Sequence, residues 1–401
     1  SEGRWFTRGV LGIGLASLFS DWGHETATSL LPVLLGSLGA PAYALGVIEG
    51  VADGISSFAK LAGGWLADRP SLRKPIAVAG YSVTALSTFA FGFVSSWAEV
   101  AGARAIGWMG RGIRGPARDV LLADSVALQQ TGRAFGFERA MDTLGAILGP
   151  LCAIALIARV SVPAAMRWTL LPGALAALCF AVLVPKAEAA SHEAKPFWSS
   201  LKSLPTSFRR YLVAVALFGA GDFAHSMLIL RAVQLLTPLR GAARAATLGV
   251  LLYTVHNVTY AAVSYPAGVI GDRMRARGGK KKLLALGYLL AGVMCAGFIF
   301  ATRGAAAHLP ELTALFVLGG FYVGIQDTLE KAVAAELLPR EIRATGYGVL
   351  ATVNGIGDLI SSMAVGFLWS AVSPAGGFAY AGLLMAAGGV TLLAMRPTPH
   401  S

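Results

Sequence analysis

Two long apolar stretches of this sequence each carry an aspartate followed three residues later by a histidine. Asp21 precedes His24, with Glu25 beside it, and Asp222 precedes His225 about 200 positions further along. Ionisable side chains in the middle of a membrane span are energetically expensive, and they usually mark the path of an ion or a substrate. Because the pattern occurs twice, it predicts a transport site built from two related halves of the chain.

Helix geometry would group these side chains. Residues three and four positions apart lie on the same helix face, so Asp21, His24 and Glu25 are predicted to point in one direction. Asp222 and His225 are predicted to occupy the equivalent place in the second half. Asp21 and Glu25 are also the predicted proton-coupling groups, because a buried carboxyl group can hold a proton and release it when a cation approaches.

The predicted substrate-binding set offers ligands of two kinds. It is completed by His256 and Asn257, at mid-depth of another apolar stretch. Carboxylate oxygens combined with imidazole nitrogens suit a divalent transition metal such as Zn, Ni, Co or Fe. Two alternatives stay open. The histidines could titrate or hydrogen-bond in a cavity for organic cations or drug-like compounds, or the substrate could be a metal chelate or an organic anion.

The composition indicates a membrane protein. Of 401 residues, 55% are hydrophobic and 13% are charged, whereas soluble proteins carry about 25% charged residues. The net charge of +12 comes from cations between the apolar stretches, where they set membrane orientation, so we do not expect nucleic-acid binding. The sequence contains no Walker loop, Ser-His-Asp order or HExxH motif, and we expect neither an enzyme nor a bound cofactor.

A bilayer-spanning helix needs about 20 mostly apolar residues. Such stretches predict twelve transmembrane helices near 10–36, 43–67, 75–97, 99–125, 134–159, 165–185, 210–236, 245–270, 282–302, 311–336, 345–371 and 376–395. A polar segment, 186–209, divides them into six-helix bundles at 1–185 and 210–401. The distribution of Lys and Arg predicts the orientation in the membrane, because these residues concentrate in the loops on the same side as this segment. By the positive-inside rule, 186–209 is a cytoplasmic linker and both termini are cytoplasmic.

The two halves share a second motif in their loops. A Gly-x-x-x-Asp-Arg sequence ends at Asp68 and Arg69 after the second predicted helix, and it recurs at Asp272 and Arg273 after the eighth. Internal repeats of this kind place the substrate site of a transporter between the halves, near the bilayer midplane. The sequence therefore predicts a duplicated bundle with a central site.

With these motifs the chain resembles the major facilitator superfamily over its whole length. The loop after the second helix is similar to the Gly-x-x-x-Asp-Arg-x-Gly-Arg-Arg signature of that family. Four residues of the fifth helix resemble the antiporter motif of its exporters: Gly136, Gly145, Gly149 and Pro150. Ala153 and Ile154 replace the closing Gly-Gly of that motif. We expect the glycines to let a neighbouring helix approach closely and the proline to kink the span.

The resemblance also implies roles for charged residues of other helices. Helices 1, 4, 7 and 10 line the central cavity in the superfamily, which makes Arg111 a predicted cavity charge, either a counter-charge to Asp21 or Glu25 or an anion-binding residue. Asp68 is expected to pair with a cation and clamp one conformational state, and inter-helix ion pairs are expected near the cytoplasmic gate. The predicted gating residues are Asp68, Arg69, Arg118, Asp272, Arg273 and Glu330.

The resemblance implies an all-α membrane protein with twelve transmembrane helices in two pseudo-symmetric six-helix bundles. We expect a proton-coupled secondary transporter working by alternating access in a bacterial inner membrane. Export is favoured over import, and a divalent transition metal is favoured over the alternatives given above. Such a metal would be a substrate and not a resident cofactor. The expected partners are the lipid bilayer, protons and the substrate, and superfamily members are mostly monomers.

Overall fold

The computed structural model describes residues 5–40, 44–186, 197–274, 279–300 and 309–395. Within these ranges the regular structure is helical, with two short 3₁₀ turns besides the α-helices. The α-helices are α1 Arg8–Ser37, α2 Ala44–Ala67, α3 Pro70–Ala90, α4 Trp97–Asp124, α5 Thr131–Ile157, α6 Val162–Trp168, α7 Leu170–Leu183, α8 Phe197–Lys202, α9 Thr206–Gly219, α10 Ser226–Arg240, α11 Ala242–Arg273, α12 Gly279–Phe300, α13 Leu309–Leu337, α14 Arg343–Ala371 and α15 Pro374–Ala394.

Each of the twelve predicted spans coincides with helix in the structure. Two spans are divided: the sixth is α6 and α7, on either side of Thr169, and the seventh is α9 and α10, with residues 220–225 between them. The prediction that Asp222 and His225 share one helix face is therefore wrong, because both lie in the second interruption. The helical backbone that would set their three-residue spacing is unwound there.

Six helical stretches of the described residues are long and apolar enough to cross a membrane. They are Leu128–Ile157, Val162–Leu183, Gly279–Phe300, Leu309–Leu337, Arg340–Ala371 and Pro374–Ala394. Other long helices are more polar. The clearest example is α4, in which four arginines interrupt the apolar sequence. Arginines at this position in a bundle must be paired or hydrogen-bonded by the helices around them.

The chain forms two compact units. The first comprises Ser1–Leu204 with Ala334–Thr352, and the second comprises Pro205–Val333 with Val353–Ser401. Part of the predicted linker, 187–196, lies outside the described residues, and the remainder includes α8. In the first unit, Leu30, Leu31 and Leu34 of α1 form a hydrophobic core with Phe91 and Val100. Burial of these side chains fixes one face of α1.

Local sequence sets several helix ends. Thr7, Ser96 and Ser373 precede α1, α4 and α15, and each side-chain oxygen accepts a hydrogen bond from the backbone N–H three residues ahead. This is the usual N-terminal cap, which satisfies a donor that the helix itself leaves unpaired. After α1, Gly39 adopts a φ of +66°, in the left-handed region that favours glycine and ends helices.

Glycines of α5 allow α1 to approach closely, as the sequence predicts. A Cβ atom built on Gly145 would lie 2.3 Å from the carbonyl oxygen of Leu18, and one built on Gly149 would lie 2.4 Å from Cβ of Glu25. The helix continues through Pro150 to Ile157. The carbonyl oxygen of Gly149 accepts a hydrogen bond of 3.1 Å from the hydroxyl of Thr26. The contact therefore lies beside the predicted site residues of α1.

The interruption between α9 and α10 is stabilised by two serines of α14. The hydroxyl of Ser361 donates to the carbonyl oxygen of Asp222 at 2.6 Å, and the backbone N–H of Ala224 donates to Oγ of Ser362 at 3.1 Å. A break within a membrane bundle is tolerated when neighbouring side chains satisfy the backbone groups that the helix releases. These hydrogen bonds make the interruption a built feature of the second unit.

Glycines keep neighbouring helices close to the same interruption. A Cβ on Gly221 would lie 2.5 Å from the carbonyl oxygen of Ala381, and one on Gly357 would lie 2.7 Å from the backbone of Gly219. Side chains larger than hydrogen would push α14 and α15 away from the break. The Gly-Ala-Gly-Asp sequence at 219–222 therefore serves packing as well as local flexibility.

A lysine holds the last helix of each predicted bundle in the same way. Nζ of Lys74 donates to the carbonyl oxygen of Val184 at 2.6 Å, and Nζ of Lys281 donates to the carbonyl oxygen of Met395. Val184 and Met395 are the C-terminal caps of α7 and α15. Lysine near a helix C-terminus satisfies carbonyl groups and interacts favourably with the helix dipole. The matching contacts support the internal repeat.

Candidate functional site

In the first unit, Asp21 forms an ion pair with Arg111. Oδ1 of Asp21 lies 2.8 Å from Nη2 of Arg111, and the Asp21 side chain is 8% exposed against 30% for Arg111. The sequence left two roles open for Arg111. In the structure Arg111 is the counter-charge to Asp21. The pair joins α1 to α4, so the charge state of Asp21 controls a contact between two helices.

His24 is buried among aromatic and cationic groups of α4. Its ring centroid lies 4.5 Å from that of Trp108, and the guanidinium of Arg104 stacks 3.7 Å above the same indole. Thr28 is 3.4 Å from Nε2 of His24 and accepts a hydrogen bond of 3.2 Å from Arg104. Glu25 lies further off, with Oε1 at 3.7 Å from Nε2. The surroundings of His24 are more positive than a metal site would favour.

Two further arginines of α4 are held by neighbouring helices. Arg114 donates to Oγ of Ser20 at 2.9 Å, and its guanidinium lies 3.9 Å above the ring of Tyr81. Arg118 forms ion pairs of 2.9 Å with Glu138 of α5 and with its neighbour Asp119. The predicted inter-helix ion pair of Arg118 is therefore present, with α5 as the partner.

The second unit brings four predicted site residues into one partly buried cluster around Tyr322 of α13. The hydroxyl of Tyr322 donates to Oδ1 of Asp222 at 3.2 Å and lies 3.0 Å from Nε2 of His225. The rings of His225 and His256 have centroids 4.9 Å apart. Nδ1 of His256 lies 3.2 Å from Oδ1 of Asn257. Asp222 and His225 are thus linked through a tyrosine and not through helix spacing.

Tyr322 is not among the site residues predicted from the sequence, although its spacing from Gln326 and Glu330 could have indicated it. Tyr322, Gln326 and Glu330 are four residues apart, which places them along one side of α13. Glu330 is 2% exposed and accepts hydrogen bonds from three neutral groups, the hydroxyl of Tyr288 and the amides of Asn354 and Gln326. The expected ion pair of Glu330 is absent from its contacts in the described part of the chain. Tyr288 and Asn354, each more than 20 residues away, and Gln326, one helical turn earlier, occupy its oxygens instead.

Asp68 was expected to pair with a cation, but its carboxylate contacts the first turn of α14 instead. Oδ1 of its carboxylate accepts a hydrogen bond of 3.0 Å from the backbone N–H of Thr345, and Oδ2 accepts another from the Thr345 hydroxyl. Thr345 belongs to the first turn of α14, where the helix dipole favours a negative charge. Burial raises the pKa of Asp68 to about 6, against the opposing effect of the Thr345 hydrogen bonds.

Of the other predicted gating residues, Asp272 forms an ion pair, Arg69 is half-buried and Arg273 is exposed. Asp272, the repeat of Asp68, forms a buried ion pair of 2.9 Å with Lys280. The guanidinium of Arg69 lies 4.7 Å from the ring of Trp65, and Arg273 is exposed in the last turn of α11. The two copies of the loop motif therefore use their aspartates differently.

The raised pKa of Asp68 predicts a pH-dependent contact with α14. A carboxyl group whose pKa is higher when buried takes up a proton on burial, so acidification through pH 6 should strengthen the contact and alkalinisation should weaken it. Because the pKa of Asp68 rises from 3.8 to about 6, amide protection of the first turn of α14 should fall by roughly 10-fold between pH 5 and pH 7.5. Hydrogen exchange corrected for the intrinsic rate would measure it.

The control for this experiment is Asp68→Asn, which keeps a hydrogen-bond acceptor and cannot titrate. Its protection should be high and independent of pH across the same range. Equal pH dependence in the wild type and in the variant would assign the effect to another group.

Few side chains that could act as metal ligands lie together within either unit. Among the described residues, no three side chains of His, Cys, Asp or Glu come together in a group that could hold a metal ion. The first unit instead supplies arginines around His24, and the second supplies two adjacent imidazoles with a carboxylate behind a tyrosine. The predicted substrate-binding residues therefore form two chemically different groups.

Comparison of the sequence with known families gives a match to the Major Facilitator Superfamily over residues 13–239 and 232–401. An uncharacterized MFS-type transporter of Methanocaldococcus jannaschii is 28% identical over 395 residues, covering 97% of this chain and 95% of the relative. An uncharacterized protein of Mycobacterium bovis is 30% identical over 377 residues, covering 90% of this chain and 87% of that protein.

Solved structures share the same fold at low sequence identity. A bacterial homologue of the iron transporter ferroportin, in an outward-facing state, has a TM-score of 0.77 at 13% identity and covers 96% of this chain and 98% of its own. The human organic anion transporter MFSD10 has a TM-score of 0.69 at 17% identity, covering 96% and 99%. The Escherichia coli fucose:proton symporter has a TM-score of 0.71 at 16% identity, covering 98% and 100%. The chain belongs to the Major Facilitator Superfamily, whose members are multi-pass membrane transporters and not enzymes.

Proposed function

We propose that this chain is a proton-coupled antiporter that exports a divalent transition metal by alternating access. The observation that supports the proposal most is the interruption between α9 and α10, which presents Asp222 and His225 beside His256. Discontinuous helices form the substrate and ion sites of many secondary transporters. Imidazole and carboxylate groups at such a break are suitable ligands for Zn, Ni or Co.

The proton would enter the cycle through buried carboxyl groups. Protonation of Asp21 would remove the negative partner of Arg111 and so loosen the contact between α1 and α4. Glu25, the second predicted proton site, is on the same helix face. Glu330 is a further candidate, because neutral groups surround it and it can bind or release a proton without breaking an ion pair. Proton binding and metal binding would then exclude each other electrostatically.

Further parts of the proposal concern the cell. We place the protein in a bacterial inner membrane as a monomer, with both termini cytoplasmic, because the Lys and Arg residues concentrate on that side of the predicted spans. A C-terminal fusion to a reporter active only in the cytoplasm tests the topology. An active C-terminal reporter is the expected result, and an inactive one from a folded fusion contradicts it.

The proposed export direction draws on the antiporter-type glycines, and these give a prediction. Gly149→Leu should abolish transport, because its side chain would collide with Glu25 and Thr26 of α1. The matched control is Gly102→Leu on α4, since a Cβ on Gly102 has no atom within 4 Å among the neighbours described. Initial rates of substrate uptake into proteoliposomes would compare them. Equal rates in the two variants would mean that the close approach of α1 to α5 has no part in transport.

A second candidate substrate is an organic anion or an anionic metal chelate. One observation favours it: Arg104 and Arg111 of α4 lie around the α1 site that contains His24. Guanidinium groups bind carboxylates with two parallel hydrogen bonds, and a buried arginine that lost its partner would bind such a group strongly. Both substrate classes are named among proteins of this fold, since the structural neighbours bear names for an iron transporter, an organic anion transporter and a fucose symporter.

Uptake into proteoliposomes with an imposed pH gradient tests both candidates. Zn, Co and Ni salts would be compared with citrate and with metal–citrate complexes, each with and without a protonophore. Gradient-driven uptake of the free metal, lost with protonophore, supports the proposal. Uptake of the complex or of citrate alone would assign the second candidate, and no gradient dependence would contradict proton coupling.

A further inference from the structure

We propose that the second unit alone binds the metal through two imidazole nitrogens, Nδ1 of His225 and Nε2 of His256. The inference rests on the proposed function and names its ligand atoms and its class of metal. It departs from the sequence prediction, in which Asp21 and His24 contribute to the same site.

His256 presents an unpaired lone pair inside the second unit. Nδ1 of its ring lies 3.2 Å from Oδ1 of Asn257, a carbonyl oxygen that can only accept, so Nδ1 carries the proton. Nε2 is therefore an acceptor. His256 is 1% exposed, and Nε2 has no hydrogen-bond partner. A buried polar atom without a partner is costly, and a ligand that used this nitrogen would remove the cost.

The proton of His225 is fixed from the other side. Tyr322 donates its hydroxyl proton to Oδ1 of Asp222, so its oxygen accepts from His225, and Nε2 carries the proton of that ring. Nδ1 of His225 is left with its lone pair. Metal-binding histidines commonly donate their second N–H to an acceptor that orients the ring. Here the acceptor is the hydroxyl of Tyr322, which in turn donates to the Asp222 carboxylate.

The two rings come from different elements and lie close together. His225 precedes α10 at the interruption, His256 is on α11, and their ring centroids are 4.9 Å apart at an angle of 50°. Gly319 of α13 packs closely against the Cδ2–Nε2 edge of His256, because a Cβ there would lie 2.8 Å from Cδ2 and 3.3 Å from Nε2. The same point is 3.2 Å from the sulfur of Met294. The thioether of Met294 therefore lies near the same edge of the imidazole.

Two nitrogens beside a thioether define the class of metal. Imidazole and sulfur ligands favour Zn, Ni, Co and Cu, whereas Mg and Ca require oxygen ligands. The site offers two neighbouring histidine rings, and no group of three His, Cys, Asp or Glu side chains that could hold a metal lies in the described part of the chain. Open coordination positions suit a cargo that must leave the site again. Asp222 would orient a ligand and not bind the ion.

Titration calorimetry with Zn²⁺ on the purified full chain tests the site, with Co²⁺ absorption as a second probe. His225→Ala and His256→Ala should each weaken Zn²⁺ binding by at least about 10-fold, the lower end of what orienting residues alone contribute. His24→Ala is the matched control and should bind within twofold of wild type. Should His256→Ala fail to fold, His256→Gln replaces it, and the visible bands of bound Co²⁺ should shift in that variant because one of the two nitrogen ligands is lost.

The outcomes separate this inference from the proposed function. Wild-type affinity in either second-unit variant, or an equal loss in His24→Ala, would overturn the two-imidazole site. Metal flux that persists in those variants would overturn the site and leave metal transport standing. A wild-type protein that neither binds Zn²⁺ nor transports it would overturn the proposed function and this inference with it.

Discussion

Replacing Asp21 with asparagine is expected to abolish proton-driven transport while the protein still folds. Asparagine can accept a hydrogen bond from Arg111, but it cannot take up a proton or neutralise the guanidinium. Arg111 would then lack its ion-pair partner in every step of the cycle. Uptake into proteoliposomes under an imposed pH gradient should fall to the rate of protein-free vesicles, with normal elution in size-exclusion chromatography as the folding control.

The ion pair between Asp21 and Arg111 should also contribute to the stability of the folded protein. Losing one member of a buried ion pair costs about 3–5 kcal/mol, and the cost is smaller where the residual charge is partly exposed. Arg111→Gln should therefore destabilise more than Asp21→Asn, because it strands the more deeply buried charge. The double variant should regain stability without regaining transport. Thermal unfolding of the three proteins measures this, and additive losses would mean that the two groups do not interact.

Glu330→Gln is expected to eliminate coupling to the proton gradient and to keep binding of substrate. Glutamine has nearly the same shape and keeps one oxygen for the hydroxyl of Tyr288, while the amide of Asn354 can turn to present its own oxygen. The titratable proton is lost. Downhill exchange of substrate should continue in this variant while uphill uptake stops.

Glu311→Gln is the control for Glu330→Gln, since Glu311 is an exposed carboxylate on the same helix. It should behave like the wild type in both assays. Uphill uptake by Glu330→Gln at the wild-type rate would remove Glu330 from the proton path and leave Asp21 and Glu25 as the groups to examine.

Hydrophobic pattern was sufficient to predict the twelve spans, because the requirement for apolar length is local in sequence. The interruption of the seventh span was not predictable in this way. Its backbone groups are satisfied by Ser361 and Ser362, which lie about 140 positions after Asp222. Gly219 and Gly221 hint at weakness in the helix, but glycine is common in membrane bundles and the partner serines are visible only in the fold.

The candidate site likewise combines features that the sequence predicts with features that depend on the fold. The pairing of Arg111 with Asp21 was one of two roles that charge alone could suggest. Glu330 was expected to pair with a cation, yet Tyr288 and Asn354 occupy its oxygens. Hydrogen-bond partners of this kind depend on which helix faces meet, and a single sequence does not specify those faces. Tyr322 was missed for the same reason.

Proton movement driven by metal alone tests the proposal of metal–proton antiport most directly. Proteoliposomes containing a pH-sensitive dye would start with equal pH on both sides and receive Zn²⁺ outside only. Antiport predicts that protons leave as the metal enters, so the internal pH rises, and the rise should be absent in Asp21→Asn. Zn²⁺ entry with no change in internal pH, or with acidification, would contradict antiport.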